Sequence, residues 1–264
     1  MSKSHDLRFP VGGSATRRHF LQAGAATGLA VAGFSAGMAP RPAFAQPKRG
    51  GTIRHAKGHG NTSDTLDPAT WTNGFTVALP FGMHGFLTVV APDGSLEASL
   101  AESWEATPDA KVWRFKIRKG VTFHSGKPLT LDDVVDSVNY HRGENSTSVA
   151  KPIVASIQNI STEGGDTVVF ELEAGSADFP FVFTDYHMAI CPSDGNGGID
   201  WRSGDGCGPY KLMNFDPGVI AQLERFTDDW NQNRGWFDAI EMLSVVDLNA
   251  RTTALVSGDV DMID

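Results

Sequence analysis

Hydrophobic and polar side chains alternate most clearly between residues 112 and 118. Trp113, Phe115 and Ile117 fall on one side of an extended chain, and basic side chains fall on the other. A period of two residues predicts a β-strand with one buried and one solvated face. Other segments predict strands at 52–56, 168–172, 209–214, 219–225 and 239–246, and the start of another at 259–264.

The clearest helical pattern runs from residue 131 to residue 141. Its apolar side chains recur at i, i+3, i+4 and i+7, which predicts an amphipathic helix; they are Leu131, Val134, Val135 and Val138. Thr130 stands at the expected N-cap, and Asp133 three residues later completes a capping-box pattern. This segment is therefore predicted to be a helix with a well-defined start.

Two further segments favour helices. Residues 75–86 are mostly apolar, and Pro80 is expected to interrupt the helix that they predict. Asp247 is expected to cap a helix over 248–256 that stops at Gly258. Strand and helix signals thus alternate along the chain, which indicates an α/β protein.

The first 45 residues have the pattern of an export signal. A basic start is followed by an apolar run over 23–38 and by the small-x-small sequence Ala43-Phe44-Ala45. Arg17 and Arg18, followed by Phe and Leu, resemble the twin-arginine consensus. The alternative is a membrane anchor, but the run is short and rich in glycine for spanning about 30 Å of hydrocarbon. We therefore predict export by the twin-arginine machinery and cleavage after Ala45.

Charge excludes some partners of the remaining chain. The whole sequence has 22 basic and 31 acidic residues, and residues 1–45 hold 5 and 1 of these. Residues 46–264 therefore hold 22 − 5 = 17 basic and 31 − 1 = 30 acidic residues, a net charge of −13. Such an acidic domain has the wrong electrostatic field for nucleic acid, so no nucleic-acid partner is predicted.

The sequence lacks the common catalytic and cofactor motifs. It contains no Gly-x-Ser-x-Gly elbow, no phosphate-binding Gly-x4-Gly-Lys loop and no His-Glu-x-x-His pair. His55 and His59 are spaced for metal binding only on a helix, whereas flanking Gly58 and Gly60 and the preceding strand favour a loop. We therefore predict no enzyme activity, no cofactor and no metal site.

The chain has two cysteines, Cys191 and Cys207. Export to an oxidising compartment favours a disulfide between them, and the glycine-rich segment 193–198 is flexible enough to close the loop. The alternative is a pair of buried free thiols that act as small hydrophobic side chains. The disulfide is the preferred interpretation.

Several blocks of the sequence resemble the conserved blocks of one known family. The main block covers Leu100–Glu105, Pro108-Asp109, Trp113–Thr130 and Asp132–Ser137. Further blocks follow the family order: Gly50–Thr52 with Leu66–Pro68, Gly208–Lys211, and Ala250–Leu255 with Ser257–Asp261. One block alone would be weak, but four in order over nearly all of residues 46–264 specifically resemble the peptide/nickel class of ABC-importer binding proteins.

The resemblance implies a particular fold. Family members are two-lobed α/β proteins of the periplasmic-binding-protein type II kind, and their first lobe carries an inserted α+β subdomain. Mapped onto this sequence, 46–80 and 188–264 would form the main sheet of lobe I and 81–187 the insert. Family members are also longer, so the resemblance implies that the second lobe is missing and that this chain is an N-terminal fragment.

A ligand site is expected in the cleft that such a lobe lines. Two polar-aromatic stretches are the candidates, namely Thr72-Asn73-Gly74-Phe75 and Asp185-Tyr186-His187. Asn73 and the backbone near Gly74 are expected to hydrogen-bond a peptide main chain. Phe75 and Tyr186 would supply apolar walls, and Asp185 would pair with a ligand ammonium group. The open alternative is that both stretches only pack between subdomains.

The resemblance implies binding rather than catalysis. Such a protein would capture peptides or similar small solutes in the periplasm and deliver them to an ABC permease complex in the inner membrane, with lobe closure trapping the solute. On its own, this half is expected to bind weakly or not at all. The alternatives are an exported cofactor-containing enzyme and a binding module for a non-peptide solute such as haem or a nickel chelate.

Overall fold

The computed structural model describes residues 47–264, so the predictions for the signal segment 1–45 lie outside the described residues. A five-stranded sheet has the order β11-β1-β10-β9-β8. Its strands are β1 (Thr52–Lys57), β8 (Tyr210–Asp216), β9 (Ile220–Arg225), β10 (Ala239–Ser244) and β11 (Met262–Ile263). β1 runs parallel to β10 and β11, whereas β9 is antiparallel to both of its neighbours. The carboxyl ends of three strands therefore meet at one edge.

Helix α1 (Gly74–Met83) packs on this sheet. Phe75, Leu79 and Met83 repeat every four residues on its buried face, and they join a core with sheet residues Tyr210, Ala221, Leu223 and Met242. The predicted helix is confirmed, but the expected interruption at Pro80 is wrong, because the helix continues through Pro80 and ends at Met83. A proline removes one N–H group and is usually unfavourable in a helix interior, so burial of the apolar face outweighs that cost here.

A second sheet is antiparallel and four-stranded, in the order β4-β5-β7-β6. Its strands are β4 (Ala101–Ala106), β5 (Val112–Ile117), β6 (Ile157–Glu163) and β7 (Thr167–Leu172). The alternation predicted for β5 is confirmed, because Trp113, Phe115 and Ile117 are buried. Phe115 makes edge-to-face contacts with Phe170, Phe179 and Phe183, at centroid separations of 5.0–6.2 Å. This aromatic cluster forms the centre of the larger core.

Shorter elements complete the fold. Strands β2 (Thr88–Val90) and β3 (Leu96–Ala98) form a hairpin across a turn at Pro92–Ser95, where the Asp93 carboxylate accepts a hydrogen bond from the Ser95 N–H at 2.9 Å. Helix α3 (Leu248–Ser257) is capped by Asp247 and followed by Gly258 with φ of 81°, as predicted. No helix within residues 47–264 is long and apolar enough to cross a membrane.

Helix α2 (Leu131–Tyr140) begins at the predicted capping box, and its Asp133 has an additional role. One carboxylate oxygen accepts from the Thr130 N–H at 2.7 Å. The other accepts from Lys127 Nζ at 3.1 Å and from the Ser193 N–H at 2.7 Å. Because this carboxylate is fully buried, it joins three separate segments of the chain with well-satisfied hydrogen bonds.

Replacing the Asp133 side chain tests how much its buried hydrogen bonds contribute to stability. We expect Asp133→Ala to lower the free energy of unfolding by about 2 kcal/mol, because it removes a cap and leaves buried donors unsatisfied. Urea denaturation followed by tryptophan fluorescence measures the change. Asp132→Ala, at the exposed neighbouring carboxylate, is the matched control and should alter stability by less than about 0.5 kcal/mol. Equal effects of the two substitutions would contradict this role of Asp133.

The predicted disulfide is absent from the structure, where Cys191 and Cys207 are free, buried thiols. Cys191 Sγ lies 3.9 Å from His84 Nδ1, and Cys207 belongs to the larger hydrophobic core. Burial raises the pKa of both thiols, that of Cys207 to about 12. Both side chains therefore act as small hydrophobic groups, the alternative left open by the sequence.

The predicted subdomain division stays a prediction. The five-stranded sheet is formed by segments near the two ends of the described chain, and the four-stranded sheet by residues between 101 and 172. However, residues Pro47–Asp264 form one compact unit. The larger core also takes in Met188, Ile190 and Cys207, which the prediction assigned to the main sheet.

Candidate functional site

The structure brings the two predicted ligand-binding stretches together. The first stretch joins a 3₁₀ helix (Pro68–Thr70) to α1, and the second forms the start of another 3₁₀ helix (Tyr186–Met188). The link between them is a hydrogen bond of 2.8 Å between His187 Nε2 and the Trp71 carbonyl oxygen. Trp71 also shares a small apolar cluster with Tyr186. Residues more than 100 positions apart thus meet at one place in the fold.

Asn73 acts as the N-cap of α1. Its side-chain oxygen accepts from the Phe75 and Thr76 N–H groups at 2.9 and 3.1 Å, and its amide nitrogen donates to Asp64 Oδ1 at 2.7 Å. These bonds fix the start of the helix. A ligand would have to compete with the cap for this side chain, so the backbone of Gly74 is the more available group.

The prediction of a ligand contact is wrong for the rings of Phe75 and His187. Phe75 is fully buried against the sheet, because its apolar ring belongs to the core face of α1. His187 is 4% exposed, and both of its ring nitrogens have partners, Asp185 at 2.7 Å and the Trp71 carbonyl at 2.8 Å. Both residues position the surrounding chain.

Asp185 and Tyr186, which precede the buried His187 in the sequence, remain partly exposed. Burial works to raise the pKa of the Asp185 carboxyl, but hydrogen bonds from the His187 ring and backbone outweigh it and hold the pKa below its usual range. The Tyr186 ring lies over the His187 ring with centroids 4.0 Å apart, and burial raises the pKa of its hydroxyl. Asp185 and Tyr186 therefore offer an anionic group and an aromatic face.

A polar depression of about 360 Å³ lies beside the N-terminus of α1. Eight polar side chains line it: Asn61, Ser63, Asp64, Thr65, Thr70, Thr72, Asn73 and Thr76. The Asp64 carboxylate accepts from Asn73 Nδ2 at 2.7 Å and from the Asn61 N–H at 2.8 Å. The hydrogen bonds within residues 47–264 leave the Thr72 hydroxyl without a partner, and this residue is exposed. Thr72 is therefore available to a ligand.

The depression lies at the carboxyl edge of the parallel strands. The loop after β1 passes so close to the end of β10 that a side chain at Gly60 would collide with Ser244. A Cβ atom at Gly74 would lie 3.0 Å from His59 of the same loop. Ligands of open α/β sheets bind outside the carboxyl ends of the strands, so this edge is the expected position of a binding site.

The sequence interpretation missed several residues of this site. Asn61, Ser63, Asp64, Thr65 and Thr70 line the depression, although none of them was predicted to bind ligand. The available signal was the run of small polar residues Asn61-Thr62-Ser63-Asp64-Thr65 between a strand and a helix. Within residues 47–264, no three His, Cys, Asp or Glu side chains form a group suited to holding a metal ion.

Solved structures with the same fold define the class of protein. The periplasmic binding protein AgaA from A. tumefaciens R10, in complex with agropinic acid, is 27% identical, with a TM-score of 0.74 over 81% of this chain and 44% of its own. The oligopeptide-binding protein AppA from Bacillus subtilis, in complex with a nonapeptide, is 23% identical with a TM-score of 0.72, at the same coverages. The fold is that of a periplasmic binding protein, as predicted.

The sequence gives the family. The pattern of the bacterial extracellular solute-binding proteins, family 5 Middle, matches residues 95–264. The chain therefore belongs to this family. Among curated relatives, AppA of Bacillus subtilis strain 168 is 27% identical over 192 residues, which are 69% of this chain and 35% of AppA. The chain thus spans less than half the length of the relatives that it matches.

Proposed function

We propose that this chain contributes one side of the solute-binding cleft in an extracytoplasmic binding protein of an ABC importer. The protein would capture peptides or similar small solutes and deliver them to a permease complex in the inner membrane. Its position in family 5 supports this proposal. So do the ligands in the solved complexes of two relatives, a nonapeptide for AppA and agropinic acid for AgaA.

The observation that carries the proposal is the set of available groups at the carboxyl edge of the parallel strands. Thr72 offers a hydroxyl group there, and the Gly74 amide lies at a helix N-terminus, where unpaired N–H groups favour carbonyl or carboxylate acceptors. Asp185 offers a carboxylate for a ligand ammonium group, and Tyr186 offers an aromatic face. Together these groups match the donors, acceptors and apolar surface of a short peptide.

The proposal also includes export of the protein and closure of two lobes around the solute. The basic, apolar and small-residue segments of 1–45 support twin-arginine export to the periplasm with cleavage after Ala45. Closure of two lobes around the solute would create the surface that the permease recognises. The chain spans 35% of the curated AppA and 44% of the solved AgaA, and on its own it is expected to bind solute only weakly.

Amide chemical shifts of the ¹⁵N-labelled chain, titrated with a mixed oligopeptide, test the proposed site. We expect the signals of Thr72, Gly74, Asp185 and Tyr186 to move, with a Kd of roughly millimolar size. Tyr186→Ala should weaken this binding about fivefold, because it removes the aromatic face. Phe237→Ala, at a partly exposed ring before the amino end of β10, is the matched control and should leave binding unchanged.

Two results would count against the proposal. The first is a set of moving signals that excludes the Thr72 and Tyr186 regions, which would place any solute elsewhere. The second is tight binding of peptide by this chain, in the micromolar range or better (about −8 kcal/mol). Such affinity would mean that one side of a cleft is sufficient.

A further inference from the structure

A second cavity of the described chain lies away from the site above. It has a volume of about 680 Å³, is open to solvent, and is lined by residues of the turn at 124–127, the loop at 192–205 and the first residues of β8. Hydrogen bonds fix these walls to one another. The Ser125 N–H donates to Asp205 Oδ1 at 3.0 Å, and Lys127 Nζ donates to the Ser193 carbonyl at 3.3 Å. The cavity is therefore formed before any ligand arrives.

Opposite charges line this cavity without pairing with each other. The lining includes Lys127, which pairs with Asp133 outside the cavity lining, and five other charged residues. Of these five, Arg202 and Lys211 are basic, and Asp194, Asp200 and Asp205 are acidic. None of the five takes part in an ion pair within residues 47–264. Side chains of opposite sign thus face one volume but are too far apart to neutralise each other directly.

Local bonds hold these charged groups in place. Asp194 Oδ1 accepts from the Asn196 and Gly198 N–H groups at 2.7 and 3.0 Å, and Asp200 Oδ1 accepts from the Ser203 N–H at 3.2 Å. The Arg202 guanidinium lies over the Trp201 ring, 4.1 Å from its centroid. Each of these bonds occupies only one oxygen of a carboxylate. Stacking leaves the edge of the guanidinium group free to donate.

We propose that this cavity is a second binding site, for a small zwitterion that carries an ammonium and a carboxylate group. The ligand ammonium would meet the free oxygens of Asp200 and Asp205, and the ligand carboxylate would meet Arg202 and Lys211. A zwitterion satisfies both sets of charges at once, whereas an ion of single charge satisfies one set. The volume falls within the usual range of about 300–1,000 Å³ for small-molecule sites. The proposal does not rest on the function proposed above.

Amide chemical shifts of the ¹⁵N-labelled chain test this proposal directly. Triglycine and glycine are the zwitterionic probes, and they distinguish a short peptide from a free amino acid. N-acetyl-triglycine and triglycine amide each lack one of the two charges. We expect a zwitterion to move the signals of Ser125, Ser193, Gly204 and Lys211, and both singly charged derivatives to bind about tenfold more weakly.

Substitutions of lining residues test whether the zwitterion binds in this cavity. Arg202→Gln combined with Lys211→Gln should weaken zwitterion binding about tenfold, and because both side chains are exposed the fold should be retained. Lys116→Gln, on the four-stranded sheet, is the matched control and should leave binding unchanged. The proposal is overturned if neither zwitterion moves these signals, if singly charged derivatives bind equally well, or if the double variant binds as the parent does.

Discussion

Acidification from about pH 7 to about pH 4 is expected to remove roughly 6 kcal/mol from the free energy of unfolding. The cause is two buried histidines, His84 and His141. Burial lowers the pKa of each from 6.5 to about 4. The unfolded chain binds a proton at each histidine near pH 6.5, whereas the folded chain resists protonation until about pH 4.

The sign of the effect follows from these proton affinities. Between pH 6.5 and about pH 4 the unfolded state binds more protons, so stability is fully present above this window and falls as the pH falls through it. Each histidine accounts for about 3 kcal/mol at the lower end. Burial disfavours the charged ring of both histidines. At His84 it outweighs the hydrogen bond that Nδ1 donates to the Ile190 carbonyl at 3.3 Å, which by itself favours the charged ring.

Urea denaturation at several pH values measures this loss. His141→Gln should remove about half of this loss, because it removes one of the two histidines whose pKa burial lowers to about 4. The exposed His59 provides the matched control, and His59→Gln should leave the dependence unchanged. A free energy of unfolding that stays constant down to about pH 4, or that keeps its full dependence in His141→Gln, would show that burial of these rings does not control acid stability.

Local signals in the sequence were sufficient where the chain itself determines the structure. The Thr130 cap, the Asp247 cap and Gly258 define the ends of two helices by short-range hydrogen bonds and backbone conformation, and all three are confirmed. The alternation over β5 is equally clear, because this strand lies inside its sheet with one face in the core. Such features depend on neighbours in the sequence.

Strands β4 and β6 were missed for a physical reason. Both lie at the edges of the four-stranded sheet, and most of their residues are exposed. Glu102, Ser103 and Glu105 in β4 give no apolar alternation. Only pairing with β5, fixed by the rest of the fold, makes this segment a strand. Edge strands of this kind cannot be read from local periodicity.

The candidate site shows the same limit. Sequence reasoning found two stretches that do meet in space, through His187 and Trp71. It did not distinguish exposed residues from buried residues within these two stretches. Phe75 was assigned to a ligand wall, although its spacing from Leu79 and Met83 places it on the buried face of α1. The burial of His187 depends on contacts across more than 100 residues, which no local pattern contains.

Gly206→Ala is expected to lower the free energy of unfolding by about 4 kcal/mol. The segment 206–208 packs directly on the end of α1, where the Gly208 N–H donates to the Met83 carbonyl at 2.9 Å. A Cβ atom at Gly206 would overlap the Met83 carbonyl oxygen and would lie 2.9 Å from its carbon. Backbone atoms cannot rotate away as a side chain can, so either α1 or this segment must move.

Gly82→Ala provides the matched control in the same helix end. A Cβ atom there would lie 3.5 Å from Leu223 Cδ2, an ordinary contact. Because alanine also favours a helix interior over glycine, this substitution should stabilise the protein by up to about 1 kcal/mol. Urea denaturation at neutral pH compares both variants with the parent. If Gly206→Ala lowers the free energy of unfolding while Gly82→Ala raises it, close backbone packing of 206–208 on α1 is supported. A Gly206→Ala protein as stable as the parent would show that the two segments are not in contact.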